Sequence, residues 1–377
     1  MTDQVLILGG TGRIGSKVAA DLLDHTSAQV TIAGRNLPKG EQKSNSLGDR
    51  VRFLGIDLAD LDALRDAIAQ SNVVVHCAGP FHYRDASVLQ LCIAQGVNYV
   101  DVSDHPSFTR KALEYRAEAT AAGVTAVVNT GIFPGISNSM VRQGVEQLDE
   151  AKKIHLSYVV AGSGGAGVTV MRTTFLGLQR PFAAWIDREW RSTQPYSDRE
   201  VVEFPQPYGK IGVYWFDMPE AFTLPDTFPV KTVVTKFATV PRFYNYLTWS
   251  VARWWPASWL RNPAVIEFLS YVSHFMTDVT DRFSGIGVAI RSEVTGTKNG
   301  QPRRCCSTLI HADTAIAAGV GTGTVVELLL SGELQKPGVW PIEQALPTDL
   351  FERMMEQRGI EIEVDVRDED LQSASDF

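Results

Sequence analysis

Val5-Leu6-Ile7-Leu8-Gly9-Gly10-Thr11-Gly12-Arg13-Ile14-Gly15 is the stretch that decides the fold. Four consecutive apolar residues are what a strand buried on both faces of a parallel sheet requires. The run passes directly into a glycine-rich turn and then into Ser16–Leu23, whose apolar spacing suits a helix. Such a turn between strand and helix lets backbone N–H groups and the positive end of the helix dipole meet a pyrophosphate. Gly9 and Gly12 are expected to permit the tight turn and the close approach of phosphate. Gly15 is expected to permit close packing of helix on sheet, with Thr11, Arg13 and Ile14 in the same cofactor-binding turn. A glycine pattern alone is weak, but here it has the strand before it and the helix after it.

The next strand, Val30–Ala33, ends in Gly34-Arg35-Asn36. An NAD enzyme places Asp or Glu here to bind the ribose 2′-hydroxyl, whereas an arginine accommodates a 2′-phosphate. Arg35, with Asn36 beside it and Lys39 nearby, therefore selects NADP(H). Strand and helix patterns then alternate. Val51–Asp57 reads as a strand with Asp57 at its adenine-facing end, and Leu61–Gln70 as a helix. Val73–Cys77 is a strand that stops at Ala78-Gly79-Pro80-Phe81, a loop able to approach the cofactor because Gly79 has no side chain. Ala86–Gln95, Asn98–Val102, Phe108–Ala122 and Val124–Val128 complete the series. The alternation predicts a Rossmann doubly wound parallel sheet of the α/β class, with ligands at the carboxyl ends of its strands. His76, in mid-strand, reads as a core residue.

Composition bounds the rest. A chain of 377 residues has room for two domains. With 44% hydrophobic and 21% charged residues it is an ordinary globular sequence. A net charge of -8 argues against nucleic-acid binding, and most of it lies from Glu361 to Phe377, where seven acids face one arginine, Arg367. Cys77, Cys92, Cys305 and Cys306 form no C-x-x-C pair and no zinc spacing, so no metal site is expected and a reducing, cytoplasmic compartment is. The vicinal Cys305-Cys306 pair reads as an ordinary strand pair, whose side chains point to opposite faces. The amino-terminal residues lack the basic and long apolar regions of a signal peptide.

Thr11-Gly12 and the Cys77-Ala78-Gly79 loop would also suit a short-chain dehydrogenase, but none of the ten tyrosines has the lysine four residues later that those enzymes use. The chain instead resembles the saccharopine dehydrogenase-like oxidoreductases. Four segments carry the resemblance: Gly9–Gly15, Cys77–Phe81, Gly96-Val97-Asn98-Tyr99-Val100-Asp101-Val102-Ser103-Asp104, and Pro337-Gly338-Val339-Trp340-Pro341-Ile342-Glu343. It implies a Rossmann domain split by an inserted α+β substrate and dimerisation domain: residues 1–133 plus 306–360, an insertion at 134–305, and an acidic tail at 361–377. The crossing is placed at Gly131–Gly135. The resemblance further implies NADP(H)-linked hydride transfer, commonly at a C=N bond of an amino acid or polyamine, while relatives reduce C=C bonds of lipid-like substrates.

The inserted region matches no motif. Strand-like segments stand at Ile154–Val160, Gly212–Phe216, Lys231–Phe237 and Gly287–Val294, and the glycine run Ala161–Gly167 reads as a turn or lid. From Phe243 to Phe275 ten residues are aromatic, including Trp249, Trp254, Trp255 and Trp259. They read as a helical core wall, an apolar substrate pocket, a subunit interface, or a surface on a membrane beside Arg242, Arg253 and Arg261. The last would add peripheral membrane association through 249–259, and the interface a homodimer. Arg172 and Lys210 are the basic residues on offer to clamp a dicarboxylic substrate.

The protein must manage one proton alongside the hydride. His82 and Tyr83, after the Gly79-Pro80-Phe81 loop, are the favoured candidates, and Asp101, Ser103, Asp104 and His105 stand in the next loop. Asp104 can equally cap the helix that follows, and Asp101 can anchor the strand end. The reading is an NADP(H)-dependent oxidoreductase acting on a C=N or carbonyl carbon of an amino-acid- or amine-like small molecule. The alternatives are an enoyl or lipid-like C=C reductase and a non-catalytic NADP-binding scaffold.

Overall fold

Strand β1 (Gln4–Leu8) forms where the sequence is continuously apolar, and Val5–Leu8 are all buried, as a parallel sheet covered on both faces demands. In the computed structural model residues 2–162, 168–260, 262–284 and 286–368 are described. The glycine run read as a lid lies from 163 to 167 outside them, as do Arg261 and the tail beyond 368. The chain divides into two units, Met1–Ile136 with Ala315–Arg358, and Ser137–Thr314 with Gly359–Phe377.

In the first unit β1, β2 (Gln29–Gly34), β3 (Val51–Gly55), β4 (Val73–His76), β5 (Asn98–Asp101) and β6 (Thr125–Val128) alternate with helices. A seventh strand from far along the chain, Gly338–Pro341 (β15 in chain order), pairs with β6. All pairings are parallel, in the order β15-β6-β5-β4-β1-β2-β3. This is the doubly wound order, and it reverses between β1 and β4, where a crevice opens at the carboxyl ends of the strands. The core beneath that crevice includes Leu6, Leu8, Leu64, Ile68, Val74, Leu89, Tyr99 and Phe108.

The helix Thr314–Ser331 is long and apolar enough to cross a membrane, yet most of it is buried inside the protein. Its glycines allow that packing. A Cβ on Gly319 would stand 2.7 Å from Lys17, and one on Gly323 would fall 2.0 Å from the Asp21 carboxylate. Both neighbours lie on the helix Arg13–His25 that follows the glycine turn. Arg358 ties the same two helices together, its guanidinium bonding Asp21 at 3.0 Å and Glu327 at 2.6 Å.

The second unit is a mixed sheet. It comprises β7 (Glu150–Ala161), β10 (Glu200–Phe204), β11 (Gly209–Trp215), β12 (Thr232–Val240), β13 (Gly287–Lys298), β14 (Gln301–His311) and β16 (Ile362–Asp368), in the order β10-β11-β12-β7-β13-β14-β16. A separate hairpin joins β8 (Phe182–Ile186) and β9 (Glu189–Thr193). Among the described residues only β12 and β7 run parallel in this sheet.

Two expected boundaries are corrected. The insertion does not end at 305, because β14 pairs with β13 along its whole length, from Gln301 opposite Lys298 to His311 opposite Val288. The chain re-enters the first unit at Ala315. Nor does an acidic tail begin at 361: Ile362–Asp368 form β16, antiparallel to β14, with Arg303 bonding Asp368 at 2.8 Å. The alternation Ile362-Glu363-Val364-Asp365-Val366 is a strand pattern, and counting its charges obscured it. Acidic side chains on an edge strand also discourage a further strand from adding.

Candidate functional site

The glycine turn is built from backbone hydrogen bonds. Gly9 N–H donates to the Ala33 carbonyl on β2 at 3.0 Å, Gly12 N–H to the Gly9 carbonyl at 2.9 Å, and Ser16 N–H to the Gly12 carbonyl at 3.1 Å. Gly9 holds φ at +76°, and a Cβ there would meet the backbone of Cys77 and Ala78 at 2.9 Å. The turn is therefore pressed against the loop after β4. The expected role of Gly15 is corrected: its α-carbon faces the Gly9 carbonyl, 2.5 Å from where a Cβ would be, so it packs on the turn itself. Gly10 does the work against the sheet, with Ile32 of β2 at 2.6 Å.

Gly12 caps the helix Arg13–His25 with no side-chain hydrogen bond, and the first turn contains no acid. The leading N–H groups, those of Arg13, Ile14 and Gly15, thus have no acceptor within the helix. With the dipole behind them they form an anion site. Thr11 is half-buried and Arg13 exposed at its edge. At the end of β2, Arg35 is exposed and makes no ion pair with a described residue. Asn36 has a structural duty, its Oδ1 accepting from Lys39 N–H at 2.9 Å to cap the helix Leu37–Leu47. Asp57 is exposed after β3 and accepts from Ala59 N–H at 3.0 Å. A phosphate-binding helix start with a guanidinium at the end of the second strand fits NADP(H).

The loop after β4 is fixed at both ends. Arg84 Nε donates to the Ala78 carbonyl at 2.8 Å, and Phe81 is buried edge-on against Phe108, their centroids 4.9 Å apart. Ala78, Gly79 and Pro80 stay partly exposed. Residues Phe81–Tyr83 make one short helical turn that places His82 toward the loop after β5. There His82 Nδ1 and His105 Nε2 are 2.9 Å apart. Tyr83 is exposed and stands edge-on to His82 at 4.8 Å.

The helix cap expected from Asp104 belongs instead to His105. Its Nδ1 accepts from Ser107 N–H at 3.3 Å and lies 2.8 Å from Ser107 Oγ. That contact assigns the tautomers. A backbone N–H can only donate, so His105 Nδ1 carries no proton and the neutral ring holds it on Nε2. His105 Nε2–H then donates to His82 Nδ1, leaving the proton of a neutral His82 on its own Nε2. Burial, and then the proximity of His82, push His105 down to about 4, so His105 is neutral near pH 7.

Beneath the pair Asp101 is an anchor. Its Oδ1 accepts from Ser103 N–H at 2.9 Å, Ser103 Oγ–H at 2.6 Å and Asn129 N–H at 3.0 Å. Asn129, held at φ +63°, donates through Nδ2 to the Ser103 carbonyl and to Thr109 Oγ1, both at 2.9 Å. Asp101 is fully buried, and burial raises its carboxyl above the usual range against these hydrogen bonds. His76 is a core residue, edge-on to Phe81 and Tyr99 and pushed down to about 3 by burial and Arg84. Among the described residues no cluster of His, Cys, Asp and Glu could hold a metal.

In the second unit, Arg172 bonds Glu267 through two nitrogens, at 2.5 and 2.7 Å. Lys210 is exposed. Neither is set as a substrate clamp. The aromatic segment divides: Tyr244 is buried, but Phe243, Tyr246, Trp254, Trp259, Phe268, Tyr271 and Phe275 are all exposed. A simple core wall is excluded for those seven.

Comparison with known proteins bears on the cofactor-binding unit and on the fold. Residues 5–127 match the family model of the saccharopine dehydrogenase NADP-binding domain. The chain is similar to the carboxynorspermidine synthase of Vibrio cholerae, 24% identical with 92% of each chain covered. It is 28% identical to a probable mitochondrial saccharopine dehydrogenase-like oxidoreductase of Arabidopsis thaliana, over 34% of this chain and 32% of that one. Its fold is that of apo saccharopine dehydrogenase (L-Glu forming) from Saccharomyces cerevisiae, with a TM-score of 0.69 at 14% identity, covering 97% of this chain and all of the other.

Proposed function

We propose that the chain is a saccharopine dehydrogenase-like, NADP(H)-dependent oxidoreductase that reduces the C=N or carbonyl carbon of an amine- or amino-acid-like metabolite. The observation that carries this reading is the end-to-end similarity to an enzyme named for making a carboxylated polyamine. The bound nicotinamide supplies the hydride. The N–H groups of Arg13, Ile14 and Gly15 would hold the pyrophosphate and Arg35 the 2′-phosphate. The loop Ala78–Phe81 and Asp57 would take up the rest of the cofactor. His82 offers Nε2–H to the substrate nitrogen or oxygen, which needs one proton when its carbon gains hydride. His105 holds that tautomer in place, as a positioning residue. Tyr83 and Asp104 are the alternative donors on the same two loops.

The test is NADPH oxidation with mixtures of short diamines and aldehydes derived from amino acids, which form C=N bonds in solution, against enoyl thioesters. Turnover confined to the imine mixtures is expected. Turnover of the enoyl thioesters alone would overturn the assignment. A His82→Gln variant should lose about 10²–10⁴-fold in kcat, the range of acid–base catalysis, and equal activity in that variant would move the role to Tyr83 or Asp104.

A second reading, an enzyme of hydrophobic or lipid-like substrates that meets a membrane through 249–259, is favoured by one observation. Trp254 is 74% and Trp259 56% exposed, near Arg253. Vesicle flotation of the wild type and of a Trp254→Ala/Trp259→Ala variant tests it: association lost in the variant supports it, and no association in either form refutes it.

A further inference from the structure

Asn129, the first residue after β6, combines three features that the end of a strand does not require. It is fully buried, and it holds φ at +63°. Its side-chain amide faces three acceptors, the Ser103 carbonyl, Ser103 Oγ and Thr109 Oγ1, each at 2.9 Å. The Ser103 carbonyl can only accept, which assigns the NH2 group to that side. Glycine would hold this backbone without strain, whereas few side chains adopt it. Strain of this kind, observed beside a site, points to a role in that site.

The hydrogen bonds run in one direction, from Asn129 toward the loop that carries His105. Thr109 Oγ1 accepts from Asn129 Nδ2, so its own proton is left to donate, and it reaches the His105 carbonyl at 3.4 Å. The Thr109 N–H donates to the same carbonyl at 3.2 Å. On the other branch Ser103 Oγ accepts from Asn129 and donates to Asp101 Oδ1 at 2.6 Å. The Asn129 N–H ends on that same oxygen, at 3.0 Å. Thr130 ties Asp101 to the strand end, its Oγ1 donating to the Asp101 carbonyl at 2.8 Å. The two branches thus hold both ends of Ser103-Asp104-His105, the segment that sets His105 Nε2 at 2.9 Å from His82 Nδ1.

We propose that Asn129 is a positioning residue for the proton transfer, acting through Thr109 on His105 and so on the donor His82. Its catalytic part rests on the reductase reading above, whereas the strut from Asn129 to His105 is a property of the first unit alone. The His105 ring also caps the helix Pro106–Leu113, through its bond from Ser107 N–H. A shift of that helix start therefore moves the ring, and with it the hydrogen bond that orients His82. A displacement of about 1 Å in such a group can cost about 100-fold in rate.

The test uses the full chain. Thr109→Val removes the hydroxyl with little change of shape, and Thr109→Ser keeps it. A histidine-selective carbon-13 NMR titration reads the strut without any substrate. In the wild type His105 should stay neutral down to about pH 4. In Thr109→Val the loosened ring should meet water and titrate at least about one unit nearer the ordinary value of about 6.5, and Thr109→Ser should restore the wild-type titration. Asn129→Gly, which suits the backbone and removes the amide, should behave as Thr109→Val does. With the imine mixtures kcat should fall by about 10- to 100-fold in Thr109→Val and Asn129→Gly, with KM for NADPH unchanged and recovery in Thr109→Ser. Thermal unfolding separates a general weakening: variants that melt earlier while His105 titrates as in the wild type would overturn the proposal, and so would wild-type kcat in both. A wild type inactive with every imine mixture would refute the reductase reading and the catalytic part with it, while the titration would still confirm or overturn the strut.

Discussion

Arg35→Glu tests the cofactor assignment with little disturbance of the fold. Arg35 is exposed and has no ion pair to lose among the described residues, and surface substitutions of that kind stay within about 0.5 kcal/mol of neutral. The neighbouring Asn36 cap is left in place. Hydrogen bonds from a guanidinium to a phosphate are worth about 1.5–3 kcal/mol, or about 10- to 150-fold in Kd. Reversing the charge adds repulsion, about 4 kcal/mol at 4 Å near a protein surface before salt screening. NADPH affinity should therefore fall by at least about 10-fold at 0.15 M salt, and further at low salt. NADH affinity should hold or improve, because a carboxylate there can accept from the ribose 2′-hydroxyl. Fluorescence titrations of both cofactors at two salt concentrations measure this. NADPH affinity within twofold of wild type would refute the assignment. Equal loss of both cofactors would refute it too, pointing to damage in the loop. Asn36→Ala is the control: it should cost about 0.5–2 kcal/mol of stability without changing cofactor preference.

The other predictions bear on what holds the site. Gly9→Ala must place a side chain at φ +76° with its Cβ 2.9 Å from backbone atoms that cannot rotate away. The conformation alone costs about 1–2 kcal/mol, so NADPH binding should be lost, whereas Gly48→Ala, at φ +107° with nothing within 4 Å, should bind normally; retention of binding by Gly9→Ala would refute the packing of the turn on the β4 loop. Arg358→Met strands the carboxylates of Asp21 and Glu327 and should lower stability by about 3–5 kcal/mol in urea titrations, with Asp21→Asn added to it recovering part of the loss; an unchanged midpoint would show the pair to be idle. Stability should also depend on pH through the histidines. His76 is pushed down to about 3, and His105 and His155 to about 4, chiefly by burial, against about 6.5 when unfolded. Unfolding then takes up protons between those values, so the stability these groups contribute is complete above about pH 6.5 and is lost as pH falls toward 4. The slope is up to about 1.4 kcal/mol per pH unit for each fully buried ring, less for the partly exposed His105. Urea midpoints at pH 7.5, 6.5 and 5.5 measure it, and a flat profile would contradict the burial of these rings.

Reading the chain in order recovers features whose cause is local. β1, its glycine turn and the following helix are contiguous, and each glycine is needed by atoms a few residues away or by the neighbouring strand. Arg35 is legible for the same reason, since the second strand of such a unit ends where the adenosine ribose lies. Strand β16 is equally local, an alternation of apolar and acidic residues whose concentrated charge resembles that of a solvated tail. The end of the insertion was harder, because β14 is defined by eleven residues of pairing with β13, and nothing in the sequence of β14 alone marks where it stops.

What the sequence by itself determined was the cofactor: a phosphate-binding turn and a cation at the right distance from it are properties of adjacent residues. What only the tertiary structure decided was the company those residues keep. His82 and His105 are 23 residues apart and belong to different loops. They meet because β4 and β5 run parallel in register, His76 opposite Asp101, which brings both loops to the same edge of the sheet. Likewise the aromatic run from 243 to 275 read equally as core or surface, because a helical pattern shows that two faces are apolar but not which one the rest of the chain covers. Packing buried Ile266 and Leu269 and left Phe268, Val272 and Phe275 facing out, and that choice, made by contacts distant in sequence, gives the protein a second apolar face.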